Sequence, residues 1–435
     1  MRLRDKIVRL LLIAMILLSL FLSLRIWTQS TDKQVRTTDT EAADRLQARS
    51  AERVFVPSNL VYHPESGENL YTNRESLIQG VLAESLSFNL SNLNELPLST
   101  RQAYIDYLKQ TETVELIFPN ALPLGYYLEI NGCGIRDELD DHAMVSRILI
   151  NYKRKKLSFL DDKQKKIYAA DFQGNTTALE NLVKEKDNRY IAAELEEETD
   201  PIFYSYLGEV KLKKYSYILE IQSYTMFSKM FFSSTEDIFS SDNANKDVRL
   251  LTNSGQKLTV SYATGEILFT DPQILSQDPT VEKNNNLHEK TFGYIEKMGK
   301  TADGVRYFDQ AGTKITYRRY VEGYPIFSDY YRGRIEITAN PSGIKLLTNQ
   351  NIVQVPIPSD EEVPLPPTKE ILQQLLDAGM KNEEMQNIQV GYSWKTNPDN
   401  KQIVDLEPEW YVKYHDEWHK VSDTLQLLEK QGGEL

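Results

Sequence analysis

Residues 10–24 read LLLIAMILLSLFLSL, a stretch without a single charge. Arg2, Arg4, Lys6 and Arg9 precede it against one acid, Asp5. Counted from Ile7 to Trp27, the segment is 21 residues long. At about 1.5 Å per residue that is roughly 31 Å of helix, the thickness of one bilayer core. A chain that opens this way carries either a membrane span or a cleaved leader. The run continues into Arg25-Ile26-Trp27 without the small-x-small pattern of a cleavage site, which favours a retained span. Arg9 and Arg25 are expected to snorkel towards the two interfaces, and Trp27 suits the aromatic belt. The basic flank predicts a cytoplasmic N-terminus, so residues 1–6 form a short inner tail and the rest of the chain lies outside. A tail of that length is too short for a cytoplasmic domain.

Charge narrows the partners. The chain holds 50 Lys+Arg and 63 Asp+Glu, a net charge of -13. Residues 1–27 carry five basic groups and one acid, which leaves -17 on residues 28–435. Such a surface argues against nucleic acid, whose affinity comes largely from Lys and Arg, and is expected to be repelled by anionic headgroups within a Debye length. One cysteine, Cys133, excludes an internal disulfide framework, a Cys-based zinc ribbon and a CxxC redox motif. It stands between glycines in NGCGIRD and is read as a buried or turn residue. No cysteine directly follows the apolar run, so a lipoprotein anchor is excluded.

Beyond the span, residues 28–53 lack Gly and Pro and form either a helical stalk or a disordered linker. The remainder reads as an α+β ectodomain of about three small domains with antiparallel sheets and packed helices. The first covers 54–200, the second, a β domain with one short helix, 201–284, and the third 285–435. In the first, Ser76–Phe88 has apolar residues at helical spacing and TRQAYIDYLKQ is a second helix. VELIFP, LGYYLEI and MVSRILINYKRKKLSFLDD read as strands. In the second, VRLLTN, QKLTVSYA and EILFTD are strands separated by SG and TG turns. The third opens with a helix ending at Gly299, continues as a strand meander, and crosses a proline-rich exposed connector, PIPSDEEVPLPPTKE, to a helix at Thr368–Met380.

Chemistry is hard to find. YHDEWH puts His415 and His419 four apart, but the zinc motif needs Glu directly after the first His, and Asp416 stands there. The aromatic and β-branched surroundings favour strand over helix, with Asp416-Glu417 as the turn, His415 facing Trp418 and His419 facing Tyr414. His63, His142 and His288 stand alone in the sequence. No GxSxG, P-loop or dinucleotide fingerprint occurs. We expect no catalytic, metal or cofactor site. TYRRYVEGYPIFSD is similar to the hairpin of PepSY-like and protease-propeptide modules, which are non-catalytic binding or inhibitory domains.

Five features in order carry a broader resemblance: the span ending Arg25-Ile26-Trp27, VPSNLVYH, LLTNSGQKLTVSYATGEILFTDP, YRRYVEGYPIFSD, and VGYSW followed by LEPEWYVKYHDEW. In this series the chain resembles the YycH family of Gram-positive regulatory proteins. The resemblance implies a membrane-anchored, non-enzymatic accessory protein of the YycG (WalK) sensor histidine kinase. It would act with a YycI-like membrane protein and touch lipid through residues 7–27. Helices associate in lipid by close approach at small residues; Ala14, Ser19 and Ser23 are the candidates, with Ser19 and Ser23 on one face. The alternative is a PepSY-like envelope module that binds or inhibits a secreted hydrolase. A wall hydrolase itself would require a catalytic constellation that the sequence lacks.

Overall fold

A computed structural model describes Met15, Ser19 and residues 50–432, apart from 99, 135–138, 234–235, 244–246, 273–283 and 358. Met15 and Ser19 are helical and exposed. The rest of the expected span and the stalk up to residue 49 lie outside the described residues. Among the described residues no helix is long and apolar enough to cross a membrane. The body that follows is a mixed α+β fold with antiparallel sheets, as the sequence reading expects.

Its first sheet is built from β1 (Asn59–His63), β2 (Asn69–Thr72), β3 (Asn89–Glu95), β4 (Thr113–Pro123), β5 (Met144–Asn151), β6 (Lys156–Asp161), β7 (Lys166–Gln173), β8 (Ile191–Glu196) and β9 (Phe203–Tyr206). The strand order is β3-β7-β6-β5-β4-β1-β2-β8-β9. MVSRILIN reads as a nearly unbroken apolar run because β5 is buried on both faces. Ile148 and Ile150 pack with Leu77, Ile78, Val81 and Leu82 of α2 (Glu75–Leu86), a helix that follows the one-turn α1 (Ala51–Val54). Leu149 faces the other way, into a cluster with Tyr104, Ile105 and Leu108 of α3 (Arg101–Leu108). Thr100 caps α3, its hydroxyl accepting from the Ala103 amide at 3.2 Å.

LGYYLEI is a correction. It forms a helix, α4 (Leu124–Ile130), not a strand. The strand before it ends on Pro123, which has no N–H to donate to a ladder, and the turn into helix buries Tyr126, Tyr127 and Leu128 together. After α5 (Thr177–Lys184) the chain leaves the first sheet.

The second sheet joins β11 (Tyr215–Ile221), β12 (Ile238–Asn243), β13 (Asp247–Thr252), β14 (Lys257–Ser261) and β15 (Glu266–Asp271) to strands from beyond residue 300. Those are β16 (Val305–Ala311), β17 (Lys314–Val321), β18 (Tyr324–Phe327), β19 (Arg334–Asn340), β20 (Gly343–Asn349), β21 (Asn351–Ile357), β23 (Met385–Thr396), β24 (Ile403–Tyr414) and β25 (Glu417–Lys420). A separate ribbon pairs β10 (Val210–Lys213) with β22 (Glu362–Leu365), so part of the expected proline-rich connector is a strand. Residues 201–284 and 285–435, expected as separate domains, therefore share one sheet: Leu268 of β15 sits opposite Leu347 of β20. Four further helices follow: α6 (Tyr224–Phe231), α7 (Asn284–Met298), α8 (Thr368–Asp377) and α9 (Val421–Gly432). In β13, Val248 and Leu250 point inward and Arg249 and Leu251 outward, the alternation of a half-buried sheet.

The last hairpin differs by one residue from expectation. Its turn is His415-Asp416, with φ of 50° and 61°, both left-handed as a type I′ turn requires. Lys413 then lies opposite Trp418 and Val412 opposite His419. His415 thus occupies the turn and does not face Trp418.

Candidate functional site

Two strands of the first sheet each carry one charge in an apolar run, Glu115 in β4 and Arg147 in β5. The register sets Arg147 opposite Ile117 and Glu115 opposite Leu149, so the two charges are diagonal neighbours on one face. The Arg147 Nη1 donates to Glu115 Oε1, with the side chains 2% and 0% exposed. Arg147 Nε donates to the Asp162 carboxylate at 2.7–2.8 Å, and Nη2 to the Ile202 carbonyl at 2.6 Å. Glu115 Oε2 accepts from the Tyr204 hydroxyl at 2.6 Å and lies 3.1 Å from His63 Nε2. His63 Nδ1 is 3.0 Å from Asn69 Oδ1. Tyr104 closes the cluster by donating to Asp162 at 2.6 Å. His63, read as solitary, is therefore part of a buried charge network.

Burial alone would push the Glu115 carboxyl up. Arg147, His63 and Tyr204 overcome it and hold the group at about 2. The Tyr204 hydroxyl is pushed far up, first by burial and then by the Glu115 carboxylate beside it. A buried ion cluster of this kind adds little net stability over an apolar core. It does make the arrangement of β1, β4, β5 and β9 specific, because an unpaired buried charge is costly.

A second network spans the two sheets. Asp309 of β16 accepts from Lys413 Nζ at 2.7–2.8 Å, from Asn120 of β4 and, at 3.3 Å, from the Trp418 indole. Tyr307 donates to the Ala121 carbonyl at 2.8 Å, and the Tyr206 amide to Thr368 at 2.8 Å. Between the two networks lies a cavity of about 500 Å³. One wall is Phe118–Ala121, where β4 bulges between Ile117 and Leu122. The facing wall is Gln386–Gln389, beside the β23 bulge between Met385 and Asn387. Arg147, Asp162, Tyr204, Asp309, Trp410 and Trp418 also line it.

The point where the chain enters the body is sealed. Val54, Phe55 and Val56 are buried, with Phe55 only 1% exposed. The Phe55 ring meets Tyr126 edge-on at 5.1 Å and lies within 6.2 Å of the rings of His288, Phe292, Tyr307 and Tyr317. The first residues beyond the expected stalk are thus held by rings from α4, α7 and the second sheet.

Of the residues singled out in the N-terminal segment, only Ser19 is described, as helical and exposed. Ala14, Ser23, Arg9, Arg25 and Trp27 lie outside the described residues. Cys133 is half-buried, and burial pushes its thiol up. Among the described residues no group of three or more His, Cys, Asp or Glu side chains is arranged to hold a metal ion.

Comparison with known proteins covers nearly the whole chain. Residues 5–190 match the family model for the YycH protein N-terminal domain, and residues 203–432 that for the YycH protein C-terminal domain. The crystal structure of YycH from Bacillus subtilis is similar with a TM-score of 0.70 at 13% identity, covering 86% of this chain and 97% of that one. At this identity the likeness shows the fold alone. A protein from Eubacterium rectale ATCC 33656 has a TM-score of 0.32 at 10% identity over 48% of this chain and 82% of that one, too low to carry an argument. No curated protein matches the chain.

Proposed function

The chain belongs to the YycH family, whose members are regulatory accessory proteins of the YycG/WalK two-component system, and on that premise we propose that it is a single-pass, non-enzymatic regulator of a YycG/WalK-type sensor histidine kinase. In this reading residues 1–6 are cytoplasmic, 7–27 cross the membrane in contact with lipid, and the stalk to residue 53 leads to an extracytoplasmic region divided near 200. The protein acts by contact, through its membrane helix and its ectodomain, together with a YycI-like membrane protein.

The observation that carries the reading is the family match on both halves of the chain, 5–190 and 203–432. The geometry at the entry point supports it. Phe55 fixes the start of the described body in the core. A bound protein shifts a kinase between states only by its differential affinity for them. A coupling of about 1–3 kcal/mol changes the ratio of states roughly 5–150-fold.

The PepSY-like reading depends on an available hairpin at Glu322-Gly323. There Gly323 packs against Asn73 of the first half while Glu322 stays exposed. Crosslinking in native membranes followed by mass spectrometry separates the two. Recovery of a histidine kinase and a second single-pass protein supports the regulator; recovery of only a secreted peptidase overturns it.

A further inference from the structure

The cavity between the two sheets has the chemistry of a small-molecule site. Its volume of about 500 Å³ falls in the range of roughly 300–1,000 Å³ that such sites occupy. Three acids (Asp162, Asp200, Asp309) and three bases (Arg147, Lys163, Lys413) line it, so it carries no net charge. Those charges are largely committed already. Arg147 holds Asp162 at 2.7 Å, Lys413 holds Asp309 at 2.7 Å, and Lys165 holds Asp200 at 3.1 Å. The base left over, Lys163, is exposed, so a cation finds no free counter-charge and an anion finds only a solvated, weakly binding one in return for its lost hydration.

The uncharged groups are different. Six carboxamides line the cavity; Gln386 is engaged by Asp416 through both its nitrogen and its oxygen, and the other five have hydrogen-bonding capacity left over. Asn59 accepts from Asn73 at 2.6 Å with its oxygen, and Asn387 from the Ile388 amide at 2.8 Å, which leaves two amide donors. Asn120 donates to Asp309 and Gln310 to the Gly312 carbonyl at 3.1 Å, which leaves two acceptors. The Gln389 side chain makes no hydrogen bond to the described residues and offers both. Donors and acceptors therefore stand on both walls, with the indoles of Trp410 and Trp418 beside them.

An uncharged peptide strand would fit the amides but not the backbone. Both walls are bulged, β4 at Phe118–Ala121 and β23 at Met385–Asn387. A bulge breaks the even spacing of N–H and C=O groups that an added strand needs. A compact ring with hydroxyl and amide substituents has no such requirement, and its C–H face suits an indole.

We propose that this cavity binds an uncharged, amide-bearing saccharide, an N-acetylated sugar of one to three rings. The proposal does not depend on the regulator reading, since the cavity either binds sugar on the purified protein or does not. The probe is chitotriose, titrated by calorimetry and tryptophan fluorescence into the full-length chain in nanodiscs free of glycoside detergent. Saturable binding is expected, with Trp fluorescence changing in parallel. Asn120→Ala combined with Gln389→Ala removes two contacts and should weaken binding about tenfold or more. Gln389→Ala alone breaks no hydrogen bond among the described residues, so it should keep the wild-type melting temperature and still weaken binding. Absence of saturable binding up to roughly 10 mM, or wild-type affinity in both Gln389→Ala and the double variant, would overturn the proposal.

Discussion

Gly323 lies so close to the Asn73 carbonyl that a β-carbon on it would come within 1.8 Å of the oxygen. The two residues belong to different sheets' territories: Gly323 tips the β17–β18 hairpin and Asn73 follows β2. Its φ of 85° is also one that side chains rarely adopt. Gly323→Ala should therefore cost about 2–5 kcal/mol, from backbone strain and a backbone clash together. A lowered urea midpoint checks this, and an unchanged midpoint would contradict it.

The Glu115 and Arg147 pair makes a pH prediction. The folded carboxyl sits at about 2, below its ordinary value of about 4.3 when the chain unfolds. A depressed folded pKa means stability that is fully present above about pH 4.3 and lost as pH falls through about 2. Stability should decline across that window. Arg147→Met should lose about 3–5 kcal/mol by stranding the buried carboxylate, and Glu115→Gln in the same chain should recover part of it. Denaturant titrations from pH 7 to pH 2 read both effects.

Cys133 is the chain's one thiol, which makes its reactivity easy to read. Burial pushes its pKa up, and the thiolate is the reactive form. Folded protein should react with a thiol reagent at neutral pH much more slowly than urea-unfolded protein. Equal rates would mean that the site is open.

Ser19→Leu with Ser23→Leu tests contact within the bilayer. Filling a small-residue face should weaken association with the partner helix while leaving the ectodomain's melting temperature unchanged. Unimpaired co-purification together with unimpaired signalling would count against that face.

The elements most legible in the sequence are those whose pattern is local. VRLLTN, QKLTVSYA and EILFTD alternate and are punctuated by Gly turns, and they form β13, β14 and β15. LGYYLEI misled because seven mostly apolar residues fit a buried strand as well as a buried helix; only the preceding Pro123 signalled the change. The hairpin turn slipped by one because His and Asp adopt left-handed φ without the glycine that usually marks it. The cavity was invisible because its walls, Phe118–Ala121 and Gln386–Gln389, are far apart in the chain and meet only through sheet bulges. The charge network left a usable trace: a lone Glu in TVELIFP and a lone Arg in MVSRILIN, each inside a run too apolar to leave it unpaired.

The most direct test of the regulator account is kinase autophosphorylation in proteoliposomes. A YycG/WalK-type kinase would be reconstituted with its YycI-like partner, with and without this full-length chain. Control by contact predicts that adding the chain changes the phosphorylation rate severalfold, within the roughly 5–150-fold that such coupling provides. An identical rate, with all three proteins present in the same membrane, would contradict it.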